Sequence, residues 1–127
     1  MLVIRLMFLS GFWLPLLACT YLALAPSPPD TVFRFSDVLL HALAFIYLTF
    51  ALILAYADKA LWQTFAWMLA YGLLLELIQS FEPDRTAELK DVLVDVGGIL
   101  VGIGLGRIAA DTVRQLIRDI AGRLGIV

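Results

Sequence analysis

Four apolar runs, at about residues 2–24, 37–56, 61–80 and 88–108, constrain this 127-residue chain more than anything else in it. Each is close to the ~20 residues an α-helix needs to cross about 30 Å of hydrocarbon, where only helices or closed barrels satisfy their own backbone polar groups. The composition agrees, since 62% of the residues are hydrophobic and 16% charged, too little polar surface to cover a soluble core. The expected fold is all-α, a single polytopic membrane domain over residues 1–127. It has a bundle of four transmembrane helices plus a basic amphipathic C-terminal helix at about residues 109–125. A net charge of −2 argues against nucleic acid as a partner. Cys19 is the one cysteine, so neither an intrachain disulfide nor a zinc site built on a cysteine cluster can form within the chain.

Sharp punctuation separates the runs. Pro26, Pro28 and Pro29 end the first, because three prolines so close together cannot continue a helix. Ser36 or Asp37 caps the second, residues 57–60 form a short polar hairpin, and Pro83-Asp84 ends the third. The first run, with Arg5 and the Ala23-Leu24-Ala25 triplet, also resembles a secretory signal. Its apolar stretch exceeds the usual h-region of about 7–15 residues, so an uncleaved helix is expected. The fourth run carries Gly98, Gly102 and Gly106 at spacings of four, with Gly97 and Gly104 beside them. Small residues at that spacing read as a seam along which another helix packs closely. Beyond it, Arg107, Arg114, Arg118 and Arg123 interleave with Leu116, Ile117, Ile120 and Leu124, a pattern suited to an anionic membrane surface.

Orientation follows from Lys and Arg. With both termini cytoplasmic, the inner side holds Arg5, Lys59, Arg107, Arg114, Arg118 and Arg123, against Arg34, Arg85 and Lys90 outside. The positive-inside rule favours this arrangement. It sets the polar residues of the second, third and fourth helices toward the outer face.

Those residues are the chemical content of the chain. Ionisable groups in hydrocarbon cost at least about 2.5–3.5 kcal/mol when unpaired, so each calls for a partner. His41 lies about four residues inside the second helix, Glu76 about four before the end of the third, and Asp95 several into the fourth. At 1.5 Å per residue all three sit roughly 6–10 Å below the same boundary. Asp37, Gln79 and Asp91 form a shallower ring, within reach of Arg85 in the loop. Spacing aligns them by face: Asp37 with His41 at i,i+4, Glu76 with Gln79 at i,i+3, Asp91 with Asp95 at i,i+4. One outward-facing cleft formed by Asp37, His41, Glu76, Gln79, Arg85, Asp91 and Asp95 is therefore expected.

The same residues carry a resemblance. Asp37-x-x-x-His41, Glu76-x-x-Gln79, Pro83-Asp84-Arg85, then Asp91, Asp95 and Gly98 together resemble the VanZ-like family of small bacterial membrane proteins, over roughly residues 36–106. The family pattern has Gly where this chain has Asp84, and Asn where it has Asp95, which adds a negative charge at the deepest level. The resemblance implies a cell-envelope protein linked to resistance to the glycopeptide teicoplanin. Some relatives carry the label phosphotransbutyrylase, for which this chain has no phosphate-cradling loop.

Three roles fit these residues. A binding site would take a lipid or lipid-linked head group, with membrane lipids and a lipid-linked envelope precursor as partners. An enzyme would use His41 as general base with Glu76 or Asp95, yet the only nearby nucleophiles are Ser80 and Thr86, so a non-enzymatic role is the first expectation. A structural or partner-binding subunit would use the charges as a buried ion-pair network, with Arg85 and Lys90 neutralising the carboxylates. His41, Glu76, Asp91 and Asp95 would give a cation oxygen-rich ligation with one imidazole. Without HExxH-type spacing, no metal or cofactor is assigned.

Overall fold

Each expected run is a helix in the computed structural model, which describes residues 2–24, 37–81 and 89–126. The elements are α1, Leu2–Leu24; α2, Asp37–Ala55; α3, Leu61–Gln79; and α4, Leu89–Arg123. All four are long and apolar enough to cross a membrane, and the described residues contain no strand. Large apolar side chains stay exposed along every helix, Leu14, Leu43, Trp67 and Leu100 among them. In water such a surface would be a liability, but in a bilayer it is the lipid-facing side. At the start of α3, Gln63 Oε1 accepts the Ala60 backbone N–H at 3.1 Å, which satisfies one donor at the helix entry.

The basic stretch at residues 109–125 is not set off from the fourth span. It continues α4 without a break to Arg123, making a helix of 35 residues. At 1.5 Å per residue that is about 50 Å, against about 30 Å of hydrocarbon, so the last turns extend beyond the membrane. Arg114 Nη2 donates to the Ala57 carbonyl at 3.0 Å, which ties this extension to the turn between α2 and α3.

α2 is the centre of the bundle, and its largest interface is with α4. The two run parallel and in register, as the glycines of α4 show. A Cβ on Gly98 would fall 2.9 Å from the Ala42 carbonyl oxygen, on Gly102 2.7 Å from that of Ile46, and on Gly106 2.8 Å from Ile53 Cδ1. Side chains at those positions would force the backbones apart, so the expected seam exists and its partner is α2. Gly97 and Gly104 point elsewhere, with nothing within 4 Å of an added Cβ. Beside the seam, Phe45, Leu48, Ala51, Met68 and Ile99 form the core, which Phe12 of α1 completes.

α1 packs differently. Phe12 is its one buried residue among those described, and a cleft of about 200 Å³ lined by Met7, Phe8, Gly11, Tyr47, Phe50, Ala51 and Leu54 remains between it and α2. Hydrogen bonds connect it to its neighbours. Trp13 Nε1 donates to Tyr56 Oη at 3.1 Å, and Thr20 Oγ1 and Tyr71 Oη lie 2.8 Å apart. Tyr47 Oη donates to the Gly11 carbonyl at 2.7 Å. That last bond has a local cause. Pro15 lies inside α1 and lacks the N–H that would bond the carbonyl four residues back, which is Gly11. A hydroxyl from α2 supplies the missing donor, as a kink-prone residue in hydrocarbon requires.

Candidate functional site

α2, α3 and α4 bring their ionisable residues together near one end of the bundle. His41 Nδ1 and Asp95 Oδ1 are hydrogen-bonded at 3.1 Å. Glu76 joins them from α3, and one ligand-type atom from each of His41, Glu76 and Asp95 lies within 4.8 Å of the others. Asp95 is 2% exposed and Glu76 7%, whereas the His41 side chain keeps 24% of its surface. The site is thus a buried pair of carboxyls with an imidazole at its opening.

Glycines make this convergence geometrically feasible. Gly98, one turn after Asp95, lets α4 approach α2 closely enough for Asp95 to meet His41. On the third side, an added Cβ at Gly72 would lie 3.0 Å from Asp95 Oδ2 and 3.1 Å from Phe45 Cζ. Gly72 therefore leaves the space that the Asp95 carboxyl fills. It sits four residues before Glu76, on the same face of α3. The signal for Gly72 in the sequence is its i,i+4 relation to Glu76.

Polar satisfaction within the site is uneven. Asp95 has its hydrogen bond from His41, but Glu76 Oε1 is buried without a hydrogen-bond partner. Thr49 Oγ1 is the other such side-chain atom among the described residues. An unsatisfied buried acceptor costs about 1–3 kcal/mol, and more if charged. Among the described residues, no Lys or Arg forms a salt bridge with Glu76 or Asp95. Lys90 at the start of α4 is exposed and makes none either.

The shallower residues have other fates. Gln79 is buried, but its Nε2 donates to the Ala23 carbonyl of α1 at 2.9 Å, so it braces α1 beside the site. Asp91 is half-buried one turn above Asp95. The side chain of Asp37 and the whole of Arg85 lie outside the described residues, as does Thr86. Ser80 Oγ is exposed and donates to the Leu77 carbonyl at 2.6 Å, a local helix-end bond rather than a contact with the trio.

No curated protein and no solved structure matches the chain. A family model described as VanZ/LLP1 matches residues 8–110. That match runs from within α1 through α2 and α3 and past the glycine seam of α4, and so takes in the whole helical frame that holds His41, Glu76 and Asp95. The chain is therefore a multi-pass membrane protein of the VanZ/LLP1 family.

Proposed function

We propose that this protein acts in the bacterial cytoplasmic membrane, with both termini in the cytoplasm. Its His41–Glu76–Asp95 site opens toward the cell envelope and holds the polar head group of a lipid or lipid-linked envelope precursor. By occupying or presenting that head group it changes how glycopeptides such as teicoplanin reach their target. The observation that carries the reading is the orphaned Glu76 Oε1, an acceptor held in a buried site beside a His41–Asp95 pair. Such an oxygen takes a hydroxyl or ammonium donor, both of which head groups offer, and Arg85, six residues after Gln79 in the sequence, suits their phosphate. The orientation rests on the distribution of Lys and Arg, six against three.

Native mass spectrometry of the purified protein tests binding. One defined lipid class is expected with wild type and is expected to be lost with Glu76→Gln and with Arg85→Ala. The same lipid profile in all three would reject the head-group reading. Teicoplanin susceptibility should shift on deletion or overexpression and return to the parental level when the overexpressed copy carries Glu76→Gln. Unchanged susceptibility in every strain would remove the resistance role.

One observation favours a second reading, a membrane-embedded enzyme acting on the same class of lipid. The His41–Asp95 bond is the arrangement in which a carboxylate orients an imidazole for proton transfer. His41 would be the base and Asp95 its orienter, leaving Glu76 to face the substrate. Turnover of a lipid-linked substrate by wild type, abolished in a folded and inserted His41→Ala variant, would establish it.

A further inference from the structure

We propose that His41, Glu76 and Asp95 form a binding site for one divalent transition-metal ion of the zinc class. Ligand atoms about 2.0–2.2 Å from a common ion lie at most about 4.4 Å apart, and neighbouring ones on a tetrahedron about 3.4 Å. The 3.1 Å between His41 Nδ1 and Asp95 Oδ1 is already close to a ligand–ligand edge. The widest separation, within 4.8 Å, needs at most about 1.4 Å of closure to reach a tetrahedral edge, which side-chain rotation supplies. The three residues come from three helices whose approach is fixed by Gly98 and Gly72, so the donors are preorganised.

A second observation, independent of the clustering, points to a ligand. Glu76 is 93% buried, being 7% exposed, and its Oε1 has no hydrogen-bond partner. Charge points the same way. Ligation takes both carboxyls ionised and the imidazole neutral, a sum of −2, and among the described residues no Lys or Arg forms a salt bridge with either carboxyl. A dication neutralises the site and gives the orphaned oxygen its partner, where a buried anionic pair would be costly. One imidazole with two carboxyls suits Zn²⁺ or Mn²⁺ better than Mg²⁺ or Ca²⁺, which favour oxygen ligands alone. Three protein ligands leave a coordination position open, as in catalytic rather than structural zinc sites. His41, the most exposed of the trio, marks the side from which a further oxygen would enter. The inference starts from the same Glu76 oxygen as the head-group reading but gives it a metal partner, so the two stand or fall separately.

Protein in detergent, stripped with chelator and then dialysed against Zn²⁺ alone, is expected to retain one ion per chain by elemental analysis. Glu76→Gln and Asp95→Asn should each weaken retention at least tenfold, and Asp111→Asn and Asp119→Asn, exposed on the far part of α4, should leave it unchanged. Should the Gln or Asn variants misfold, Glu76→Cys in a Cys19→Ser background keeps a ligand in place. Loaded with Co²⁺, it should show a thiolate-to-cobalt charge-transfer band that Cys19→Ser alone lacks. Absence of stoichiometric Zn²⁺ in wild type, equal retention by Glu76→Gln, or absence of the cobalt band would overturn the proposal. One ion retained without bound lipid supports it while rejecting the head-group reading, whereas bound lipid without an ion overturns this proposal alone.

Discussion

α4 and α1 both pack against α2, and both present glycine to it, yet they are held by different forces. α4 is held by shape: three glycines bring its backbone so close to α2 that an added methyl would meet a carbonyl oxygen or side chain at 2.7–2.9 Å. Its only hydrogen bond to α2 among the described residues is His41–Asp95. α1 is held by hydrogen bonds to more than one neighbour, Tyr47 of α2, Tyr56 just past its end, and Tyr71 and Gln79 of α3, while its interface with α2 keeps a cleft of about 200 Å³. Lipid is as apolar as leucine, so burial alone drives neither contact, and close packing or polar bonds must do so. Equal hydropathy therefore says nothing about which force holds a given helix.

Substitutions can break this contrast, the largest effect coming from the seam. Gly102→Ala puts a methyl 2.7 Å from both the Ile46 oxygen and Thr49 Cβ; overpacking of this kind should cost about 1–3 kcal/mol. Unfolding in mixed micelles measures it, and a variant as stable as wild type would show that the seam is slack. Tyr47→Phe comes next, because it removes the donor to Gly11. Interhelical bonds of this sort average about 0.6 kcal/mol with a maximum near 1.7. In a Pro15→Ala background, where residue 15 regains an N–H, the same substitution should cost less, and a double-mutant cycle without coupling would disprove the compensation. Smallest is Gly11→Ala, whose added Cβ would lie 3.9 Å from Tyr47 Oη, an ordinary contact. Its effect on stability should stay within about 0.5 kcal/mol, the opposite outcome to Gly102→Ala although both glycines face α2.

The helices were legible because prolines and short polar turns bracket runs of spanning length, and α1, α2 and α3 fall within about a residue of expectation. The length of α4 was not, since a change from apolar to basic residues marks a change of solvent rather than of backbone conformation. His41, Glu76 and Asp95 could be assigned to one depth because helix rise converts position into height. Their distances depend on how closely the axes approach, which Gly98 and Gly72 decide jointly with residues of other helices. Gln79 illustrates the gap. Its height and face were right for the trio, but α1 offered the Ala23 carbonyl, and no spacing rule reports the position of a helix so far away in sequence. Thr20, Tyr47 and Tyr71 were similarly silent, because a hydroxyl in an apolar run does not announce its partner.

The pairing of Pro15, Gly11 and Tyr47 bears on how the protein is made. A nascent chain enters the bilayer from its N-terminus, so α1 arrives with a carbonyl at Gly11 that its own proline cannot serve. The donor lies 36 residues further along, on a helix not yet synthesised. Until α2 follows, α1 carries one backbone acceptor unserved in hydrocarbon. The proline thus leaves α1 with an acceptor that docking of α2 satisfies, which adds about 1–3 kcal/mol to the pairing of the two helices.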